Sequence, residues 1–138
     1  MFDHCLYFNT AALSRRLERE WAEAFAPFGL TAPQGFMLRA IIDRPGMLQS
    51  ELATELAIAR STTTRALDTL EQKGLLERRR TEGDGREISV YPTAAAVEIK
   101  VPLNASAGGA AEKIRKILGK EEFADAVLKI RDVRSALE

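Results

Sequence analysis

The sequence predicts a mainly α-helical domain that carries one small β-hairpin. Apolar residues recur at steps of three and four through most of the chain, which is the period of an amphipathic helix. Between residues 75 and 93 the pattern changes to alternation on both sides of Gly83-Asp84-Gly85, which is typical of two strands joined by a turn. These two patterns together predict helices around a single ribbon.

Composition limits the classes of protein to consider. A chain of 138 residues with 46% apolar and 29% charged residues suits one compact globular domain. It contains no apolar run long enough to cross a bilayer and no basic signal peptide at its start, so we expect a cytoplasmic protein without a membrane partner. One cysteine, Cys5, and one histidine, His4, cannot build a disulfide or a Cys/His zinc site, so we expect no metal and no cofactor.

The first two helices have clear boundaries in the sequence. The first is predicted to run roughly over residues 9–26 and to end at Pro27 and Gly29. The second is predicted to start at Thr31, because Thr31 and Gln34 have the spacing of a capping box. Its buried face is expected to consist of Phe36, Met37, Leu38, Ile41 and Ile42. A break at Arg44-Pro45-Gly46 then precedes a short helix over residues 49–57, with Leu52, Ala53 and Leu56 facing inward.

The helix predicted over residues 59–74 has a face that indicates a function. Thr63, Leu67 and Leu70 fall on its inner side, whereas the outer side is small, polar and basic. The outer residues are Ser61, Thr62, Thr64, Arg65 and Asp68. Such a face suits the major groove of double-stranded DNA, because short hydroxyl side chains permit close approach and an arginine can reach guanine. The alternative is a solvated helix rich in threonine by chance, although threonine is a mediocre helix former.

The predicted hairpin follows that helix directly and carries four arginines. Its strands cover residues 76–80 and 88–92, and such a ribbon can lie along the DNA backbone or insert an arginine into the minor groove. We predict DNA contacts from Arg60, Ser61, Thr62, Thr64, Arg65, Arg79, Arg80 and Arg86. Net charge adds little, since 20 basic and 20 acidic side chains cancel over the whole chain.

These segments resemble the MarR family of winged helix-turn-helix transcriptional regulators. The resemblance rests on LTAPQGFMLRAI, QSELATEL, RSTTTRALDTLEQKGLLERR and the hairpin tip Asp84-Gly85-Arg86. It implies one domain over residues 1–138, with a winged helix-turn-helix lobe over 30–93 and a helical dimerisation platform formed by 1–26 and 94–138. It also implies a homodimeric regulator, not an enzyme, that acts as a repressor on a pseudo-palindromic operator. In this family Asp84 would stabilise the wing and Arg86 would reach DNA.

The segments at the ends of the chain fit a dimerisation platform, with some departures. After Phe123 an apolar stripe needs a partner surface, and it consists of Val127, Ile130, Val133 and Leu137. Leu48 and Ala59 occupy positions where the family places side-chain caps, which should weaken those caps by about 1 kcal/mol each. Thr93 can cap the helix after the hairpin, while Pro102 and Gly108-Gly109 are expected to bend or loosen it.

The resemblance further implies an effector, a small aromatic or phenolic compound that would release the DNA. The candidate pocket residues are Arg15, Trp21, Phe36 and Arg39, although aromatic residues at helical spacing more often belong to a core.

Two alternative functions remain at this point. Cys5 stands where peroxide-sensing members carry a reactive cysteine, but Ala32 is found where those sensors have a tyrosine, so a buried, inert thiol competes with a thiol-based oxidant sensor. A winged-helix protein-interaction module is the other alternative, and the arginines of the wing favour DNA over it. No catalytic nucleophile, metal cluster or phosphate loop supports an enzyme.

Overall fold

A computed structural model describes residues 1–81, 83 and 86–138, and this part of the chain is mainly helical, as predicted. The helices are α1 (Leu6–Phe25), α2 (Ala32–Asp43), α3 (Gln49–Glu55), α4 (Arg60–Gln72), α5 (Ala94–Glu98), α6 (Lys100–Leu118) and α7 (Lys120–Ala136). The strands are β1 (Met47–Leu48), β2 (Leu76–Arg80) and β3 (Ile88–Pro92). The chain order of α2, α3, α4 and the β2–β3 ribbon is that of a winged helix-turn-helix lobe.

The first helix starts three residues earlier than predicted, at Leu6 rather than at Asn9. The Cys5 thiol accepts a hydrogen bond from the Phe8 amide at 3.5 Å, and the Asn9 side-chain amide donates to the Cys5 carbonyl at 2.8 Å. The first of these contacts satisfies a backbone amide that a helix start leaves free, whereas the Cys5 carbonyl also accepts from the Asn9 backbone amide. The helix passes into a short 3₁₀ turn, Ala26–Phe28, and Gly29 ends it at a φ of +70°.

The predicted capping box at the start of α2 is confirmed. The Gln34 amide donates to Thr31 Oγ1 at 3.3 Å, and the Thr31 amide donates to Gln34 Oε1 at 3.0 Å. Four of the five residues predicted to form the inner face are buried, namely Met37, Leu38, Ile41 and Ile42. The fifth prediction is wrong: Phe36 is 40% exposed, because its ring lies beside Trp21 and Phe25 of α1 at the edge of an open cleft and not in the core.

The sheet has a third strand that the sequence pattern did not predict. In the described sheet β3 lies between β1 and β2, and both pairings are antiparallel. Met47 pairs with Val90, and the Gly46 amide donates to the Val90 carbonyl at 2.8 Å. The bounds predicted for the two longer strands are confirmed.

A side-chain contact compensates for one of the two missing caps. At the start of α3 the Leu48 amide donates to Glu51 Oε2 at 3.0 Å, so this backbone amide has a partner. At the start of α4, Ala59 provides no side-chain cap. Thr93 does cap α5, since its hydroxyl accepts from the Ala96 amide at 3.3 Å. The next helix is broken at Ile99, upstream of Pro102, because proline cannot donate to the carbonyl four residues before it.

The core lies mainly between α2, α3, α4 and the sheet, and α6 contributes Leu103 and Ala107 to it. The last helix differs, since no residue of α7 is buried. Continuous helix covers Gly108 and Gly109, so these two glycines leave α6 uninterrupted. Across residues 1–81, 83 and 86–138, we find no helix with the length and apolar character needed to span a bilayer.

Candidate nucleic-acid interface

The outer face of α4 is exposed as predicted. Ser61, Thr62, Thr64, Arg65 and Asp68 are all exposed, and Thr63, Leu67 and Leu70 are buried on the opposite side. The Thr63 hydroxyl donates to the Ala59 carbonyl at 3.0 Å, which satisfies this buried polar group within its own helix. The helix is therefore fixed by its inner side, and its small polar side remains open to a ligand.

A polar cleft of about 360 Å³ adjoins this face. It lies between the starts of α3 and α4 and the beginning of β3, and it is lined by Leu48, Gln49, Ser50, Arg60, Thr63, Thr64, Arg86, Glu87 and Ile88. Arg60 and Arg86 are far apart in sequence, yet they line the same cleft. The structure thus brings together one predicted arginine of the helix, Arg60, and one of the wing, Arg86.

Arg79 has a different setting from the other predicted arginines. Its guanidinium carbon lies 4.1 Å from the centroid of the Tyr91 ring, and its Nη2 lies 3.1 Å from Glu77 Oε2. Side chains alternate between the two sides of a strand, so Arg79 lies on the side of the ribbon opposite to Arg78, which contacts α4. The structure therefore separates Arg79 from the cleft at α4. The predicted wing-stabilising residue Asp84 lies outside the residues that the structure describes.

Arg78 is a residue that the sequence did not single out. Its guanidinium reaches from β2 to α4, with Nη1 2.7 Å from Asp68 Oδ1 and Nη2 donating to the Thr64 carbonyl at 3.1 Å. A second long-range hydrogen bond lies at the other end of α4, where the Lys73 ammonium donates to the Gly29 carbonyl. Only alternation along β2 could have signalled Arg78, because it places Arg78 on the same side as the buried Leu76.

An apolar cleft of about 790 Å³ contains part of the predicted effector pocket. Its lining comes from α1, α2, the α3–α4 region and α7, namely Thr10, Leu13, Ser14, Leu17, Glu18, Trp21, Ala32, Pro33, Phe36, Glu55, Leu56, Ile58 and Ile130. Trp21 and Phe36 meet there, with ring centroids 6.2 Å apart. Both charged residues among these lining residues, Glu18 and Glu55, are acidic, and Glu55 is paired with Arg44 at 3.0 Å.

The two arginines predicted for the pocket do not line this cleft. Arg15 lies next to Ser14 in α1, about 100° around the helix, so its side chain leaves in another direction. Arg39 packs behind Phe36, with its guanidinium carbon 5.5 Å from that ring centroid, and its Nε donates to Asn104 Oδ1 of α6 at 2.8 Å. Arg39 therefore connects α2 to α6 and does not face the cleft.

The Cys5 thiol is exposed and lies at the start of α1. The interpretation of Cys5 as a buried thiol is therefore wrong for the single chain. Among the described residues, the thiol sulfur accepts one hydrogen bond, from the Phe8 amide, and this is an ordinary helix-start contact.

Comparison with known sequences supports the assignment of a winged helix-turn-helix lobe. The profile of the MarR family matches residues 28–87. Over 89 residues the chain is 30% identical to the HTH-type transcriptional regulator MgrA of Staphylococcus aureus, a match that covers 64% of this chain. The chain spans 60% of the length of that relative.

Comparison with solved structures extends the likeness of fold to the terminal helices. The Staphylococcus aureus MepR–DNA complex superposes with a TM-score of 0.86 at 18% identity, covering 97% of this chain and 99% of MepR. The reduced form of MarR from E. coli superposes with a TM-score of 0.75 at 25% identity, covering 93% of this chain and 95% of that protein. The likeness therefore includes both the winged lobe and the helices that flank it.

Proposed function

We propose that the chain is a MarR-family transcriptional regulator, since residues 28–87 match the profile of that family, and that it binds double-stranded DNA sequence-specifically through α4 and the wing. One observation carries the proposal: the exposed hydroxyl and arginine face of α4 adjoins a polar cleft that Arg60 and Arg86 share. A helix with small side chains can enter the major groove while flanking arginines contact phosphates. The MepR fold is known in a complex with DNA, which supports this use of the fold.

Each DNA-facing residue has a role in the proposal. Arg65 is the long donor in the middle of the outer face of α4, so we assign it to a base edge. Ser61, Thr62 and Thr64 allow close approach of the helix, and Arg60, Arg80 and Arg86 contact phosphates or the adjacent minor groove. We assign Arg79 a lesser part, because its stacking on Tyr91 and its pair with Glu77 occupy it within the wing.

The proposed regulator is a homodimer. The apolar stripe of α7 is 42–83% exposed in the single chain, and pairing with a second copy would remove it from water. Two-fold symmetry would then place two α4 helices on a pseudo-palindromic operator, with half-site centres about 10 base pairs apart. Repression follows if such an operator overlaps a promoter.

We further propose that the cleft around Trp21 and Phe36 binds the effector. Its walls are apolar and aromatic, which suits a small aromatic compound. Its charged lining groups, Glu18 and Glu55, would repel a carboxylate, so a neutral phenolic compound fits better than an aromatic acid. Binding there would separate α1 from α2 and so move the lobe relative to the terminal helices.

The experiment that tests DNA recognition selects genomic fragments with the purified protein and then measures binding to the enriched site and to random DNA across a salt series. Arg65→Ala should reduce discrimination by about 1–3 kcal/mol for each base that it no longer reads, because it removes a bidentate donor. Arg86→Ala should weaken binding to both DNAs and reduce the salt slope of log K by about 0.9 for each phosphate that is no longer neutralised. Failure of the wild-type protein to enrich any fragment would contradict the proposal and would favour a protein-interaction module.

A further inference from the structure

Arg78 joins the wing to the outer side of α4 through two contacts on one guanidinium. Nη1 lies 2.7 Å from Asp68 Oδ1, and Nη2 donates to the Thr64 carbonyl at 3.1 Å. The Arg78 side chain is 19% exposed and that of Asp68 is 50% exposed, so the pair lies where the ribbon meets the helix and not out in solvent. A planar guanidinium with two partners fixes direction as well as distance.

This arrangement is not the one that stability alone would favour. Arg78 Nε is buried and has no hydrogen-bond partner among the residues that the structure describes. A half-buried charge with an unmet donor contributes little to the free energy of folding, and an apolar side chain would fill the same space at less cost. A role in function is therefore the better explanation of the pair.

The position of Asp68 shows what that role is. Asp68 follows Arg65 by three residues and Thr64 by four, so all three lie on one exposed side of α4. Without Arg78, the Asp68 carboxylate would be an uncompensated negative charge on the face proposed to meet DNA. It would also be free to pair with Arg65, since residues three apart on a helix are neighbours. Arg65 makes no ion pair with any described residue.

We propose that Arg78 is a specificity-determining positioning residue, which holds Asp68 away from Arg65 and sets the angle between α4 and the wing. The inference rests on the proposed function, because its consequence for specificity requires that Arg65 reads a base. Arg78 itself does not contact a base and acts through Asp68 and the Thr64 carbonyl. Arg78 therefore has an electrostatic task, which is to hold Asp68 away from Arg65, and a geometric task, which is to set the angle between α4 and the wing. The two tasks can be separated by mutation.

The test measures binding of the dimer to the selected site and to random DNA for Arg78→Ala, Asp68→Ala and the double variant. Arg78→Ala should lower discrimination about tenfold per half-site, as expected when one base is no longer read, because Asp68 captures Arg65. Asp68→Ala alone should leave discrimination near the wild-type value. The double variant should regain most of the discrimination that Arg78→Ala removes, because no carboxylate remains to pair with Arg65. A double variant that discriminates no better than Arg78→Ala would overturn the inference.

A conservative variant covers the case in which Arg78→Ala does not fold. Arg78→Lys keeps a charge for Asp68 but offers no planar fork for the Thr64 carbonyl. It should therefore retain discrimination while amide hydrogen exchange in β2 and β3 becomes faster. Discrimination as low as that expected for Arg78→Ala would overturn the electrostatic task.

Measurements on the free protein separate this inference from the proposed function. Hydrogen exchange in β2 and β3 does not require DNA, so slower exchange in the wild type than in Arg78→Lys supports the geometric task even if no operator is found. Unchanged exchange would overturn that task. A wild-type protein that binds no DNA would instead contradict the proposed function and with it the electrostatic task.

Discussion

The winged lobe and the last helix differ in how much apolar surface a single chain buries. In the lobe, many large apolar side chains of α2, α4 and the sheet are at most 2% exposed, including Met37, Leu38, Leu67, Leu76 and Val90. In the C-terminal segment the four residues of the apolar stripe are 42–83% exposed, and no residue of α7 is buried. Both regions have an amphipathic pattern, but only in the lobe does the same chain supply the surface that covers the apolar face.

The difference shows that periodicity predicts which face of a helix will be buried and does not identify what buries it. Burial of an aliphatic side chain contributes about 1.5–3 kcal/mol to stability. The single chain does not gain this contribution from the four exposed side chains of the stripe. For α2 the covering surface is α4 and the sheet. For α7 we propose a second copy of the chain. Substitutions in the two regions and at the contacts between helices can test this difference.

The largest effect is expected from Val133→Asp in the stripe of α7. A two-fold interface contains each substitution twice, so the lost burial of about 1.5–3 kcal/mol per side chain counts double. We expect the dimer dissociation constant to rise at least about a hundredfold. Sedimentation equilibrium at micromolar concentration measures it, with Val97→Asp, an exposed valine of α5 outside the stripe, as the matched control. A wild-type protein that sediments as a 15.2 kDa monomer would refute the dimer.

The next effect concerns Gly35, at the contact between α1 and α2. A Cβ at this position would lie 2.2 Å from Cδ2 of Phe25, which is fully buried and cannot easily move. Gly35→Ala should lower the free energy of unfolding by about 1–3 kcal/mol, because overpacking outweighs the better helix propensity of alanine. Urea unfolding measures the loss, and adding Phe25→Leu should restore part of it. A variant as stable as the wild type would show that α1 and α2 are not packed this closely.

Gly108 provides the matched glycine in α6. No described atom lies within 4 Å of a Cβ built there. Gly108→Ala should therefore raise the free energy of unfolding by about 0.5–1 kcal/mol, because alanine reduces the entropy lost on helix formation. The same urea titration measures it. A loss of stability would instead reveal that a second copy packs against the α6 backbone at this point, which would extend the dimer surface beyond α7.

The smallest effect concerns the ion pair between Lys113 of α6 and Glu20 of α1, which are 2.7 Å apart. The hydrogen bond and the charge of Glu20 raise the pKa of Lys113 above its usual 10.5. The stability that this pair contributes is therefore present below the unfolded pKa and is lost as pH rises through the higher folded pKa. Lys113→Met should be slightly less stable than the wild type near neutral pH, and unfolding titrations should show the two converging once the pH exceeds the raised folded pKa of Lys113. A difference that persists there would assign the effect to packing.

Much of the lobe could be predicted because its signals are local. The capping box at Thr31, the bounds of β2 and β3 and the buried positions Thr63, Leu67 and Leu70 all depend on residues within a few positions of one another. The exposed face of α4 follows from the same helical period. The predicted start of α1 is too late, because its N-cap is Cys5, and cysteine is not among the residues that usually signal a helix start.

The candidate effector site is predicted less well, for a geometric reason. Arg15 and Arg39 are close in sequence to residues that line the apolar cleft, but each leaves its helix in another direction. Trp21 and Phe36 could be predicted together because aromatic residues on two adjacent helices tend to meet. Which side of α2 faces the cleft depends on how α1 packs against it, and this cannot be derived from the period of either helix.

The helical class, the order of helix, turn, helix and ribbon, and the small basic face of α4 all follow from the sequence, because helix and strand periods and turn residues act over short distances. The third strand, Met47–Leu48, follows only from the fold, since two residues are too few for a pattern and the strand exists only because β3 offers an edge. The fold also places Arg78 against Asp68 and Arg79 against Tyr91. Adjacent arginines on a strand point to opposite sides, and what each one meets there depends on elements that are distant in the chain.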